Sequence, residues 1–340
     1  MDRTILDIQG LKVGFSLGRT RIWALRGVSL TLLEGESLAV VGESGSGKSV
    51  LVKACMGLLK GNGWIEGGQI WYNGKNLALL RGERAWLPYR GAAMAMVMQD
   101  PMTSLNPVRT AGAQLMETLR LHQGLKGAAA RDAAAALLAD VGMADPSACL
   151  KRYPHELSGG MRQRVVIAMA LACRPRILFC DEPTTALDVT VQAQILDLLE
   201  RMKEKYRLSL VYITHDLGVV ARCAQRVAVM YAGQIVELGL VREIFYDARH
   251  PYTWALLASL PQRGVRGQPL YSLPGTPPVV TDGMQGDPFA PRNPYALAID
   301  YQEEPPAFSA SPTHWARTWL MDPRAPRIMP PALQPAGRLG

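Results

Sequence analysis

Gly42-Glu43-Ser44-Gly45-Ser46-Gly47-Lys48-Ser49 is the stretch on which the reading of this chain turns. Its spacing is G-x-x-x-x-G-K-[ST]. The glycines let the backbone curl so that successive N–H groups point inward, which makes a nest for phosphate oxygens. Residues 37–41, Ser-Leu-Ala-Val-Val, read as a short buried strand before it, and the apolar run 50–59 reads as a helix after it. That strand–loop–helix setting is the one in which such a motif cradles a nucleoside triphosphate. The helix presents its positive end to the same anion. Lys48 then reaches the β- and γ-phosphates, and the Ser49 hydroxyl is a ligand for Mg²⁺. The expected nucleotide contacts are Gly42, Ser44, Gly45, Ser46, Gly47, Lys48, Ser49 and Val50.

Ile177-Leu178-Phe179-Cys180-Asp181-Glu182 is an apolar strand that ends in two carboxylates. A buried strand should not end in charges unless they have partners. Asp181 suits the coordination shell of Mg²⁺. Glu182, one step further, is placed to act as general base on an attacking water.

Working outward, residues 5–15 and 28–32 alternate apolar and polar side chains, as strands do. Residues from about 102 to 143 read as helical, with an alanine-rich run at 128–139. A helix should follow the Ser158-Gly159-Gly160 turn, a strand should cover 176–180, a helix 189–205 and a strand 209–213. The alternation implies an α/β fold with a mainly parallel core sheet. Sixteen of the 24 prolines lie after residue 260. Proline lacks the N–H that helices and central strands require, so a separate loop-rich tail is expected from about 263, with its last residues, from Pro323, flexible.

Leu157-Ser158-Gly159-Gly160-Met161-Arg162-Gln163 resembles the signature sequence of ATP-binding-cassette proteins. The resemblance implies a P-loop NTPase core with an antiparallel β-subdomain, a helical subdomain over about 102–164 and a Pro-rich C-terminal tail domain. An ATPase domain is expected over 1–262 and the tail over 263–340. Ser158, Gly159, Gly160 and Gln163 would meet the γ-phosphate of a nucleotide held by a second cassette. The other elements fall in family order. Gln99 matches the loop glutamine that senses Mg²⁺ and faces the membrane partner. Asp188, in Ala186-Leu187-Asp188, matches the loop at the dimer seam. His215 matches the switch histidine at the γ-phosphate. Phe15 is the candidate for stacking on adenine, with Trp23 as the alternative.

Within the family, residues 98–107 (Met-Gln-Asp-Pro-Met-Thr-Ser-Leu-Asn-Pro) look like the branch that energises oligopeptide, dipeptide and nickel importers. So do Tyr153-Pro154-His155-Glu156, His250-Pro251-Tyr252-Thr253 and Pro274-Gly275-Thr276-Pro277-Pro278. The likeness spans residues 1–320. One departure stands out. Many members of the branch carry four tail cysteines associated with an iron–sulfur cluster. This chain has Asp287, Asn293, Asp300 and Thr318 at those positions. Oxygen ligands do not replace thiolates on a cluster, so none is expected.

The resemblance implies ATP and Mg²⁺ as ligands. It also implies a second, related cassette chain, two transmembrane permease subunits, an extracytoplasmic solute-binding protein, and a peripheral position on the cytoplasmic face of the inner membrane. Residues 102–107 would receive a short helix of the permease. Peptides are the expected cargo, with nickel or another small solute as the alternative. Composition agrees with a soluble subunit: 48% of residues are hydrophobic and 19% charged. The net charge of +8 comes without a long Lys/Arg tract, so nucleic acid is not expected as a partner. The five cysteines form no C-x-x-C pair, which argues against a zinc site and for a reducing compartment. The N-terminal residues lack the apolar segment of a signal peptide, and residues 165–173 are far too short to span a bilayer. A soluble repair or translation cassette fits less well, since no heptad run and no second cassette is present. The intact Glu182, His215 and signature oppose a subunit that binds ATP without hydrolysing it. The tail and the surroundings of Gln99 favour import over export.

Overall fold

The computed structural model describes residues 3–185, 187–260 and 273–328, apart from the side chains of Pro101 and Met102. The chain forms two compact units. One comprises Met1–Thr4, Leu32–Ser37 and Leu79–Ile213; the other comprises Ile5–Thr31, Leu38–Ala78 and Thr214–Gly340. The expected boundary at 262/263, Ala186 and the last residues from 329 onward lie outside the described residues.

In the first unit, strands Met94–Val97, Ile177–Asp181 and Ser209–Thr214 run parallel, with Val97 opposite Cys180 and Asp181 opposite Ile213. Every residue of the latter two strands is buried. This is why they read as unbroken apolar runs rather than alternating ones. Helix Val189–Tyr206 lays Ile195, Leu198, Leu199 and Met202 along one buried stripe, at spacings of three and four. It starts on Asp188, whose carboxylate accepts from Val191 N at 3.0 Å.

The stretch expected to be helical from 102 to 143 is broken into Pro101–Ser104, Ala111–Gln123 and Gly127–Asp140. Pro107 cannot continue a helix. Thr110 then caps the next one by accepting from Ala113 N at 3.2 Å. Gly124, at φ 69°, stops it with a left-handed turn. Helix Ala111–Gln123 also approaches the chain at Leu150 closely. A Cβ on Gly112 would stand 2.4 Å from the Leu150 carbonyl oxygen.

The second unit contains an antiparallel sheet in the order Thr20–Leu33, Thr4–Leu17, Gly63–Tyr72, Lys75–Asn76. Phe15 lies opposite Gly63 in its register. Separately, strand Ser37–Val41 runs parallel to Arg226–Tyr231, with Val41 opposite Val229. Arg226–Tyr231 turns through Ala232 and Gly233, both at positive φ, into antiparallel Gln234–Leu240. Two left-handed residues in the turn match the twist of the two strands.

The tail is rich in turns and adds two short strands to that sheet. Trp315–Arg317 pairs with Gln234–Leu240, and Ala307–Ser309 pairs with Trp315–Arg317. Further contacts tie it down within the unit. Trp23 N donates to Val280 O at 2.9 Å, and the Trp23 indole donates to Asp282 at 2.7 Å. His314 Nε2 meets the fully buried Glu237 at 2.7 Å, and the same carboxylate accepts from Arg249 N and His250 N.

Asp287, Asn293, Asp300 and Thr318 are all buried. Each side-chain oxygen closes a local turn. Asp287 accepts from Phe289 N, Asn293 from Tyr295 N, Asp300 from Leu297 N and Thr318 from Leu320 N. These are the turn-forming hydrogen bonds that Asp, Asn and Thr make with nearby backbone.

Burial, aided by the charges of Asp300 and Glu304 and opposed by a backbone hydrogen bond, pushes Asp287 up from 3.8 to about 7. Between those values the folded chain holds a proton that the unfolded chain has lost. Stability attributable to this group therefore falls as pH rises from 3.8 to about 7, with a slope of up to about 1.4 kcal/mol per pH unit. Asp287→Asn keeps the turn acceptor and removes the titration. Its melting temperature should exceed that of the wild type by a margin that widens between mildly acidic and neutral pH. A margin independent of pH in thermal scans would refute the shifted carboxyl.

Candidate nucleotide site

The phosphate loop follows the buried strand Ser37–Val41. Gly42, Gly45 and Gly47 have φ of 154°, 82° and 104°. A Cβ at position 42 would lie 2.1 Å from the Met230 carbonyl oxygen, and one at position 47 would lie 2.5 Å from that of Ala24. Glycine is therefore required twice over, by conformation and by space. Helix Lys48–Cys55 starts on Gly47 with no side-chain cap. Its leading N–H groups thus have no side chain of the cap residue to satisfy them, and they suit an anion. Lys48 is 6% exposed and folds back over the loop, donating through Nζ to Gly42 O at 2.7 Å and Glu43 O at 2.8 Å. The loop is closed further by Gly233 N donating to Ser46 O at 3.0 Å. The cradle fits a chain of phosphates by shape and by donor chemistry.

Glu43 is held on three sides. Its N–H donates to the Tyr252 hydroxyl at 2.8 Å, its carbonyl accepts from Lys48, and its carboxylate meets Arg292. Burial raises the Tyr252 pKa well above its usual value, so the phenol stays protonated. Burial alone would lower the Arg292 pKa, but hydrogen bonds to Glu43 and Tyr231 raise it overall. Sequence reasoning did not assign Arg292 or Tyr252 to the site. No spacing rule ties position 43 to a residue 249 positions away.

Phe15 is half-buried at the end of strand Thr4–Leu17, and its ring covers Gly63, where a Cβ would lie 2.6 Å from it. Trp23 stands edge-on to Trp64 with ring centroids 6.2 Å apart, and its indole N–H is held by Asp282. His215 is exposed directly after strand Ser209–Thr214. Asp216 caps the helix that follows, accepting from Gly218 N at 2.7 Å.

The first unit brings together Gln99, Glu182 and Thr185. Gln99 Nε2 and Thr185 Oγ1 each donate to Glu182 Oε2 at 3.0 Å. Glu182 has φ 46°, a left-handed conformation that is uncommon without glycine and is often found at functional sites. Its N–H is anchored to Ile213 O at 2.8 Å. Asp181 precedes it as the last residue of the strand, 8% exposed. Thr185 is a further addition to the sequence reading. It lies three residues after Glu182, just beyond the stretch read for its acids.

Ser158 is the N-cap of helix Gly159–Ala172 and accepts from Met161 N at 3.3 Å. Gly160 lies close to the helix that begins at Val189, since a Cβ there would stand 2.8 Å from a Val191 methyl. Gln163 is 1% exposed, and its amide nitrogen has no hydrogen-bond partner among the described residues. Its side chain is therefore buried and is not presented at the surface beside Ser158. Asp188 is exposed and is followed by Val189, an apolar residue 80% exposed.

Comparison with known proteins gives the family. Residues 25–185 match the family described as ABC transporter, and residues 236–299 match the oligopeptide/dipeptide transporter C-terminal region. The chain is 52% identical over 329 residues to the oligopeptide transport ATP-binding protein AmiE of Streptococcus pneumoniae, covering 97% of this chain and 93% of that one. It is 51% identical to the dipeptide transport ATP-binding protein DppD of Lactococcus lactis, covering 97% and 94% of the two chains. Among solved structures, an ATP-binding cassette seen as a post-hydrolysis dimer with ADP and Pi superposes with a TM-score of 0.61 at 26% identity. That match covers 70% of this chain and 99% of the other.

Proposed function

This chain belongs to the ATP-binding-cassette transporter family, and from that premise we propose that it is the ATP-hydrolysing subunit of an importer for oligopeptides or dipeptides. The observation that carries the reading is the near-complete match, at about half identity, to peptide transport ATP-binding proteins. The phosphate loop, Glu182 and the signature all stand in their expected order along the chain.

ATP binds with its phosphates in the cradle of residues 42–49. Loop N–H groups, the start of helix Lys48–Cys55 and Lys48 hold the charge. Ser49, Asp181 and Gln99 offer oxygen ligands of the kind Mg²⁺ takes. Held there, Mg²⁺ would supply positive charge against the phosphate oxygens. Glu182 accepts the proton of the attacking water, and Gln99 and Thr185 fix the carboxylate that does so. His215 contacts the γ-phosphate, and Phe15 stacks on adenine. Ser158, Gly159 and Gly160 meet the γ-phosphate held by a second cassette, with Asp188 and the exposed Val189 at the seam. Closure by ATP and opening after hydrolysis give a ligand-driven switch.

No helix among the described residues is long and apolar enough to cross a membrane. In this reading the pore comes from permease subunits, with this chain peripheral on the cytoplasmic face and residues near Gln99 receiving them. The second cassette is a related, different chain, and a solute-binding protein delivers the peptide.

The test is an affinity capture from detergent-solubilised membranes with tagged wild-type and Glu182→Gln chains in the presence of ATP. Mass spectrometry should identify polytopic membrane subunits and a second cassette. Recovery of only soluble or nucleic-acid-bound proteins would remove the transport role.

A further inference from the structure

Arg292 lies in the tail, yet its guanidinium forks onto the second residue of the phosphate loop. Nη1 and Nη2 donate to the two Glu43 carboxylate oxygens at 2.6 and 3.0 Å. Its other donors reach Pro274 O at 2.9 Å, Gly275 O at 3.2 Å and the Tyr231 hydroxyl at 3.3 Å. The Arg292 side chain is 7% exposed and that of Glu43 is 27% exposed. A buried guanidinium so fully surrounded by acceptors is fixed in place, and a two-pronged pair fixes the carboxylate with it. The floor beneath the pair is rigid as well. Tyr231, Tyr252 and Phe289 pack ring to ring with centroids 4.7 to 5.5 Å apart. Tyr252 also takes the N–H of the same Glu43.

We propose that Arg292 is a positioning residue for nucleotide binding, through which the tail holds the phosphate loop in its binding curvature and neutralises Glu43. The proposal rests on the reading of residues 42–49 as the ATP site. Two physical effects act in the same direction. A loop already ordered loses less conformational freedom when phosphate arrives. A carboxylate within the phosphate loop repels the triphosphate unless a cation offsets it. Glu43 without Arg292 is thus worse for binding than the loss of both charges.

The test uses the full chain, with Kd for N-methylanthraniloyl-ATP in Mg²⁺ read by fluorescence and melting temperature read in parallel. Arg292→Gln should weaken binding about tenfold, since hydrogen bonds to charged groups are its means of action. Glu43→Gln should weaken binding by about threefold, because the amide keeps one acceptor for the fork. The double variant should bind no worse than Arg292→Gln alone, because the unpaired carboxylate is gone. Arg292→Lys, which keeps the charge and loses the fork, should fall between the wild type and Arg292→Gln. Binding by Arg292→Gln at wild-type strength, or single effects that multiply in the double variant, would overturn the proposal. If Arg292→Gln does not fold, Arg292→Lys carries the test, and wild-type affinity in that variant overturns it. A wild-type chain that fails to bind the nucleotide overturns the ATP-site reading as well, so the two failures are distinguishable.

Discussion

Glu182→Gln should bind ATP as tightly as the wild type while losing turnover by about a hundredfold or more, the scale of a removed general base. The substitution keeps the length and shape of the side chain. Its amide oxygen still accepts from Thr185 Oγ1 or Gln99 Nε2, both of which donate to Glu182 at 3.0 Å. What it loses is the capacity to take a proton from water. Because the loop at residues 42–49 is untouched, the ATP-bound form should accumulate, with hydrolysis stalled and the pair of cassettes held closed. Steady-state phosphate release by the assembled importer, with nucleotide affinity measured separately, checks both halves. Near-normal hydrolysis by a clean preparation would take the general-base role away from Glu182. Weakened binding with normal turnover would instead make it a ligand-holding residue.

Lys48→Ala should produce the opposite pattern, a loss of nucleotide affinity on the order of a hundredfold with the fold retained, as expected for the removal of charge-assisted hydrogen bonds from a buried site. Lys48 Nζ bonds the carbonyls of Gly42 and Glu43, so alanine removes both the cation and the clasp that curls the loop. The site thereby loses charge and order together. Fluorescence titration with a labelled ATP checks it, beside a thermal scan that guards against unfolding. Unchanged affinity would remove Lys48 from the cradle. The pattern also separates Lys48 from Arg292. Among the described residues Arg292 reaches the phosphate loop through Glu43, and its substitution should have the smaller effect.

The elements proposed to bind and split ATP were legible because their chemistry is local. The phosphate loop, the acids after strand Ile177–Asp181 and the cap of the signature helix each lie within one short run of residues. Fully buried strands announced themselves by continuous apolar runs. Other features were masked by their neighbours or were not local. The hairpin of strands Gly63–Tyr72 and Lys75–Asn76 turns through Asn73 and Gly74, both at positive φ. That pair is a recognised turn signal, but Gly67 and Gly68 interrupt the alternation that would have framed it. The break between the helices after residue 104 follows from Pro107 and Gly124, whose effect an alanine-rich window conceals. Gln163 looked like part of a surface motif, yet it falls on the inner face of its helix. The Arg292–Glu43 pair joins two distant stretches, and a single sequence holds no mark of it.

The two small tail strands also bear on the colloidal behaviour of the chain. Gln234–Leu240 is almost wholly buried, and without Trp315–Arg317 beside it the strand would be an open, apolar template for any other strand. Trp315–Arg317 is covered in turn by Ala307–Ser309, which spans only three residues. The outermost strand is bracketed by Pro305 and Pro306 on one side and Pro312 on the other, residues that offer no N–H for a further strand. The prolines that mark the tail as irregular thus terminate the sheet against fibril-like growth. A proteolytic nick that released this segment should make the chain self-associate before it disturbed the phosphate loop.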